Sequence, residues 1–111
     1  MRYFVSAGDH SADLHGAALV REIKKLDPEA EFYGMGGPLL AGEEVKIFYD
    51  PTRQSAIGIL ELAGQYFRFR RLLRVFTRFF MENRPDILLW IDFAGFNLPL
   101  AEEARKLSIP V

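Results

Sequence analysis

The sequence predicts an α/β fold in which a parallel sheet is covered by helices on both faces. Three observations predict it. Short β-prone runs alternate with helical ones; one run, Ile87-Leu88-Leu89-Trp90-Ile91, is apolar at every position; and Gly, Pro or Asp breaks stand between the segments. A strand with no polar position has both faces buried, as happens in a parallel sheet between two helical layers. At 111 residues the chain buries one core and not two, so residues 1–111 are read as a single domain. Hydrophobic residues at 50% and charged residues at 26% are the balance of a folded chain.

The elements follow in order. Residues 3–6 form a short β-prone run that breaks at Ala7-Gly8-Asp9, after which Leu14, Ala17, Ala18, Val20, Ile23 and Leu26 recur at helical spacing. Ser11 is the expected N-cap, with Asp13 in the first turn. Asp27-Pro28 ends the helix, because proline disfavours helical geometry in the residue before it. Residues 31–35 supply a second strand leading into Gly34, Gly36, Gly37 and Pro38, a turn whose glycines can take positive φ. A third strand is expected at 45–49. Residues 55–64 are apolar and glycine-interrupted, and 66–83 carry the longest helical pattern, stopped by Arg84-Pro85. Residues 86–91 are the fourth strand and 97–107 an amphipathic helix. Ile109-Pro110-Val111 looks like the start of a further strand, so the chain is expected to stop in mid-fold.

Composition narrows the chemistry. With no Cys, disulfides, thiolate catalysis and cysteine-ligated zinc are excluded, and the chain suits the cytosol. A net charge of -1 offers no global attraction for nucleic acid, so a basic partner site has to be local. The apolar run at the start is too short for a signal peptide, and no uncharged apolar stretch approaches the roughly 18 residues of a spanning helix.

Ligands of such sheets bind beyond the carboxyl ends of the strands, where the strand order switches. The loop Ser6-Ala7-Gly8-Asp9-His10-Ser11-Ala12-Asp13 joins a strand to a helix whose free N–H groups can hold a phosphate or a sugar hydroxyl. It has neither G-x-G-x-x-G nor P-loop spacing, and on spacing alone a tight turn with a capping serine describes it better. Asp92 is the first residue past the most apolar strand. A carboxylate there can act as general base toward a sugar hydroxyl, or it can cap the next helix, a task open also to Asn97. The loop around Gly36-Gly37-Pro38 reads as a turn.

The helix over 66–83 has two faces. Phe69, Leu72, Leu73, Phe76, Phe79 and Phe80 fall on one side, while Arg70, Arg71, Arg74 and Arg78 gather on the other with Phe67 among them. No acid interrupts them before Glu82, which suits anionic phospholipid headgroups or a phosphorylated lipid. The neighbouring apolar segment, with Ile57, Ile59 and Leu60, is either core or a patch that enters the outer membrane layer beside the arginines.

Taken in order, these residues resemble a known family. Ala7-Gly8-Asp9-His10-Ser11-Ala12-Asp13-Leu14 with Gly16-Ala17 resembles the A-G-E-x-S-G-D-x-x-G-A opening of lipid-A-disaccharide synthases. Gly36-Gly37-Pro38 matches their G-G-P turn, and Ala56-Ile57-Gly58-Ile59-Leu60-Glu61-Leu62 their M-G-x-x-E-V-L segment. Arg84-Pro85-Asp86, Ile91-Asp92 with Phe96-Asn97-Leu98, and Ile109-Pro110-Val111 resemble R-P-D, I-D-x-P-D-F-N-x and G-I-P-V. Three positions depart: Asp9 stands for Glu, Ala12 for Gly, and Gly95 for the second aspartate of D-x-P-D-F-N.

The resemblance implies a Rossmann-like domain, the amino-terminal, acceptor-binding half of a B-type glycosyltransferase fold, truncated before its UDP-sugar half and inactive alone. It implies transfer of 2,3-diacylglucosamine from UDP-2,3-diacylglucosamine to 2,3-diacylglucosamine 1-phosphate, giving the β-1,6 lipid A disaccharide and UDP without a metal or other cofactor. Asp92 would be the base, Gly8, Asp9, Ser11 and Asn97 the acceptor-binding residues, and Arg70, Arg71, Arg74 and Arg78 with Ile57, Ile59 and Leu60 the contact with anionic lipids. The expected location is cytoplasmic, peripheral on the inner face of the inner membrane. The competing readings are a non-catalytic lipid-phosphate module at a membrane surface and an unrelated doubly wound nucleotide-binding domain.

Overall fold

A computed structural model describes residues 1–53, 59–92 and 94–111. The elements are β1 (Arg2–Ala7), α1 (His10–Leu26), β2 (Glu31–Met35), α2 (Pro38–Gly42), β3 (Lys46–Tyr49), α3 (Ile59–Glu82), β4 (Ile87–Ile91) and α4 (Ala94–Lys106), with a 3-10 turn at Pro51–Arg53. The four strands form one sheet in the order β3-β2-β1-β4, and every pairing is parallel. This is the Rossmann-like α/β arrangement that the alternation of strands and helices predicts.

The two central strands, β1 and β2, are buried on both faces past their first residues, successive side chains pointing into opposite helical layers, whereas the flanking strands β3 and β4 are only partly buried. Tyr3, Val5 and Ala7 of β1 pack with Phe32, Ala12, Ala17, Val20 and Leu40 under α1 and α2. Phe4 turns the other way, with Tyr33, Met35 and Leu88, against Phe76 and Phe80 of α3 and Phe96, Leu100 and Ala104 of α4. Phe4 is the hub of that second layer, meeting Phe76 at 5.1 Å and Phe80 at 4.8 Å edge to face. The apolar stripe read on 66–83 is therefore core, and Arg70, Arg71, Arg74 and Arg78 are exposed as predicted.

Five local expectations are corrected. The N-cap of α1 is Asp9 and not Ser11: its carboxylate accepts the Ala12 N–H at 2.8 Å, so the helix starts two residues earlier than a Ser11 cap allows. The Gly36-Gly37-Pro38 turn opens a short helix, α2, because Asp13 reaches across from α1 and binds its first N–H groups. Of the three glycines read as able to take positive φ, Gly34 does so (φ 148), inside β2, where a Cβ would lie 1.9 Å from the Val5 carbonyl oxygen, and Gly36 and Gly37 do not. Helix α3 begins at Ile59, absorbing much of the segment read separately as 55–64, and α4 begins at Ala94, placing Asn97 inside the helix instead of at its cap. Finally, 109–111 form no strand, although Leu88 N–H donates to the Pro110 carbonyl at 2.8 Å beside the open edge of β4.

Candidate functional site

From β1 the chain builds outward to β2 and β3, then crosses back through α3 to place β4 on the other flank of β1. The strand order therefore switches between β1 and β4. In register, Ser6 faces Trp90 and Ala7 faces Ile91, so the next residues, Gly8 and Asp92, leave the sheet from neighbouring strand ends. Parallel neighbours lie about 4.8 Å apart, which starts the two loops side by side.

Each predicted residue has a definite place there. Gly8 is buried in the turn, while Asp9 and Ser11 are exposed at the start of α1. The Asp9 carboxylate is spent in part on the helix N-terminus, a charge-dipole arrangement that holds it at the loop surface. Asp92 is exposed and left-handed, with φ 53. Two other non-glycine residues, Glu44 and Ser108, have positive φ, and each closes a helix: Val45 N–H reaches back to the Leu40 carbonyl and Ile109 N–H to that of Ala104. Asp92 closes no helix. A side chain pays about 1–2 kcal/mol to stand in this conformation, and Asp tolerates it better than most.

Asn97 sits beneath this turn, 0% exposed. Its Nδ2 donates to the Asp92 carbonyl at 2.6 Å and to the Ser6 carbonyl at 3.3 Å, and its Oδ1 accepts from Ser6 Oγ at 2.5 Å. Both amide hydrogens are thereby used inside the protein, so Asn97 lies under the site and does not line its surface. Ser6, also 0% exposed, is a part of the arrangement that sequence reasoning missed, because a serine at the end of an apolar strand carries no periodic signal.

Asp13 was also read only as a first-turn acid. It is 2% exposed and receives the N–H groups of Gly37 (2.8 Å), Leu39 (3.0 Å) and Leu40 (3.0 Å), which couples the first loop to the second. Close packing demands Gly37, where a Cβ would meet Asp13 Oδ2 at 2.6 Å. Beside these loops a groove of about 720 Å³ opens toward the β3 flank, lined by His10, Gly37, Pro38, Phe48, Asp50 and Thr52 among others.

The basic face lies on α3. Arg68, which the sequence reading passed over, joins Arg70, Arg71, Arg74 and Arg78 as exposed, beside Tyr66 (59% exposed) and Phe67 (67%). The Arg70 guanidinium stands 6.0 Å over the Tyr66 ring. Among the described residues none of these five arginines has an ion-pair partner. Ile57 lies outside the described residues, and Ile59 and Leu60 open α3. No helix of the described residues is long and apolar enough to cross a membrane.

Fold and loops together define a doubly wound α/β protein whose polar groups collect at the switch in strand order. Comparison with known proteins gives the family. The sequence profile described as lipid-A-disaccharide synthetase matches residues 3–110, and the chain belongs to that family. It is 35% identical over 105 residues to a lipid-A-disaccharide synthase of Coxiella burnetii, covering 95% of this chain and 28% of that protein. Likeness to the synthases of Geobacter sulfurreducens (36% over 110 residues) and Myxococcus xanthus (34% over 110) covers 99% of this chain and 29% of each. The chain thus spans less than a third of the length of the curated relatives it matches.

Proposed function

We propose that the chain, residues 1–111, supplies the acceptor-facing and membrane-facing part of a lipid-A-disaccharide synthase, and that the UDP-sugar part corresponds to the length of the relatives it does not span. The observation that carries this reading is Asp92, an exposed carboxylate held in a left-handed turn at the switch point. As general base it takes the proton of the 6-hydroxyl of 2,3-diacylglucosamine 1-phosphate while that oxygen bonds to the anomeric carbon of UDP-2,3-diacylglucosamine. The bond from that carbon to UDP breaks, and UDP leaves with the electron pair. Gly8, Asp9 and Ser11 form the acceptor side of the cleft, and no metal or other cofactor takes part.

The α3 arginines set this edge on the cytoplasmic face of the inner membrane as a peripheral contact, with Ile57, Ile59 and Leu60 entering the lipid beside them. Each basic side chain near an anionic surface contributes about 1 kcal/mol, so several together give a salt-sensitive attachment.

Reconstitution of this chain with the remainder of a full-length relative tests the enzyme. UDP release should depend on the acceptor and vanish in Asp92→Asn; full activity in that variant sinks the base. Vesicle binding tests the surface. Replacing Arg68, Arg70, Arg71, Arg74 and Arg78 by Gln should abolish binding to vesicles rich in anionic phospholipid, and equal binding to neutral vesicles would overturn the electrostatic contact. Vesicle binding with no transfer in any reconstituted mixture would instead favour a non-catalytic lipid-phosphate module.

A further inference from the structure

We infer that Asn97 and Ser6 are positioning residues for Asp92: a buried hydrogen-bonded pair at the switch point that holds residue 92 in its left-handed turn and so aims its carboxylate out of the sheet. The inference rests on the reading of Asp92 as the base and deepens it.

The geometry is specific. Asp92 is the first residue past β4, and nothing in the sheet ladder continues to hold it. Its φ of 53 is a conformation that a side chain resists, so a neighbouring group has to stabilise it. That group is the Asn97 amide, which donates to the Asp92 carbonyl at 2.6 Å from the first turns of α4. The amide is itself aimed by Ser6 of the adjacent strand, whose Oγ donates to Oδ1 at 2.5 Å and whose carbonyl takes the second amide hydrogen at 3.3 Å. Three elements, β1, β4 and α4, are thus joined through one side chain at 0% exposure, where hydrogen bonds are not diluted by competing water. Leucine at position 97 could occupy the space in the helix but would offer no hydrogen bond. Only a side chain offering both a donor pair and an acceptor satisfies Ser6 and Asp92 together.

This assignment differs in outcome from direct acceptor binding by Asn97. A positioning residue changes the rate of the chemical step and leaves acceptor affinity alone; a binding residue does the reverse. In Asn97→Ala, kcat of the reconstituted enzyme is expected to fall about 10²-fold, the loss that a misplacement of roughly 1 Å brings, with KM for the acceptor unchanged. Ser6→Ala keeps both bonds from the Asn97 amide hydrogens and should lower kcat by a smaller factor, again at constant KM. In the 111-residue chain without any partner, NMR backbone shifts and the HN–Hα coupling of Asp92 should leave the left-handed range in Asn97→Ala, while signals of the paired residues Phe4 and Leu88 stay in place.

A raised KM with kcat retained, in either variant, overturns the inference. So does a fall in melting temperature with unmoved residue-92 signals, the mark of a merely structural asparagine. Should Asp92→Asn prove fully active, the base reading fails, yet the residue-92 signals still decide whether Asn97 holds the turn. Ser6→Ala serves if Asn97→Ala does not fold.

Discussion

Replacing Asp13 by alanine removes a side chain that ties the first turn of α1 to the amino end of α2. The carboxylate is 2% exposed and accepts three backbone N–H groups, Gly37 at 2.8 Å and Leu39 and Leu40 at 3.0 Å each. The Gly37 and Leu40 bonds are buried and the Leu39 bond is partly so, which means water can replace only the last. Each buried N–H left without a partner costs about 1–3 kcal/mol. Two of them set the loss at about 2–6 kcal/mol, reduced by the cost of burying the charge, which the mutation removes; about 3 kcal/mol is expected. At about 5 °C per kcal/mol for a domain near this size, the melting temperature should fall by about 15 °C. Asp13→Asn separates the contributions. Its amide oxygen can still serve Gly37 and Leu40, but its NH2 would face the Leu39 N–H, so a loss of about 1–2 kcal/mol is expected. Urea unfolding followed by far-UV circular dichroism reads both, as a shift in midpoint at constant slope. A loss below about 1 kcal/mol in Asp13→Ala would refute the view that this carboxylate holds α2.

Three further outcomes are expected. Gly34→Ala should prevent native folding, because φ is 148 and the new Cβ would lie 1.9 Å from the Val5 carbonyl oxygen; a native-like circular dichroism spectrum and melting curve would contradict this. Phe80→Ala, at a residue 1% exposed and packed on Phe4, should cost about 3–5 kcal/mol in the same urea assay, whereas a loss under 1 kcal/mol would mean the α3 core is not packed as described. Burial pushes the Tyr33 phenol above its ordinary value of 10.0, with Arg2 partly opposing, and burial with Asp27 does the same for Tyr3. The unfolded chain therefore releases these protons first, so the stabilisation is complete below pH 10 and is lost as pH rises above it. Tyr33→Phe should flatten that alkaline loss. Because the Tyr33 hydroxyl is buried with no hydrogen-bond partner among the described residues, the variant should be no less stable at neutral pH, and a large loss there would show that the hydroxyl is paired.

The order of elements was legible in the sequence because period and breaks are local. Ile87-Leu88-Leu89-Trp90-Ile91 declares a strand, although its place at the sheet edge leaves all but Leu88 half-buried; Asp27-Pro28 ends a helix, and the Phe69 to Phe80 spacing separates a core face from an arginine face without reference to any other segment. Position at the edge of the sheet made Asp92 a candidate on the same terms. What the sequence could not decide were the contacts between residues far apart in the chain. Asp13 and Gly37 are 24 positions apart and Ser6 and Asn97 are 91, so no spacing rule connects an α1 acid to an α2 helix or a strand serine to an α4 amide. Serine at position 11 looked like the cap because it has the right chemistry, yet Asp9 holds the Ala12 N–H. Gly34 falls in β2 as read, but no spacing rule shows that it has to be glycine because β1 passes too close for a Cβ. Local propensity specified which elements form and which faces they bury. Only the assembled sheet, by bringing two strand ends together over a buried amide, decided how the aspartate that follows β4 is held.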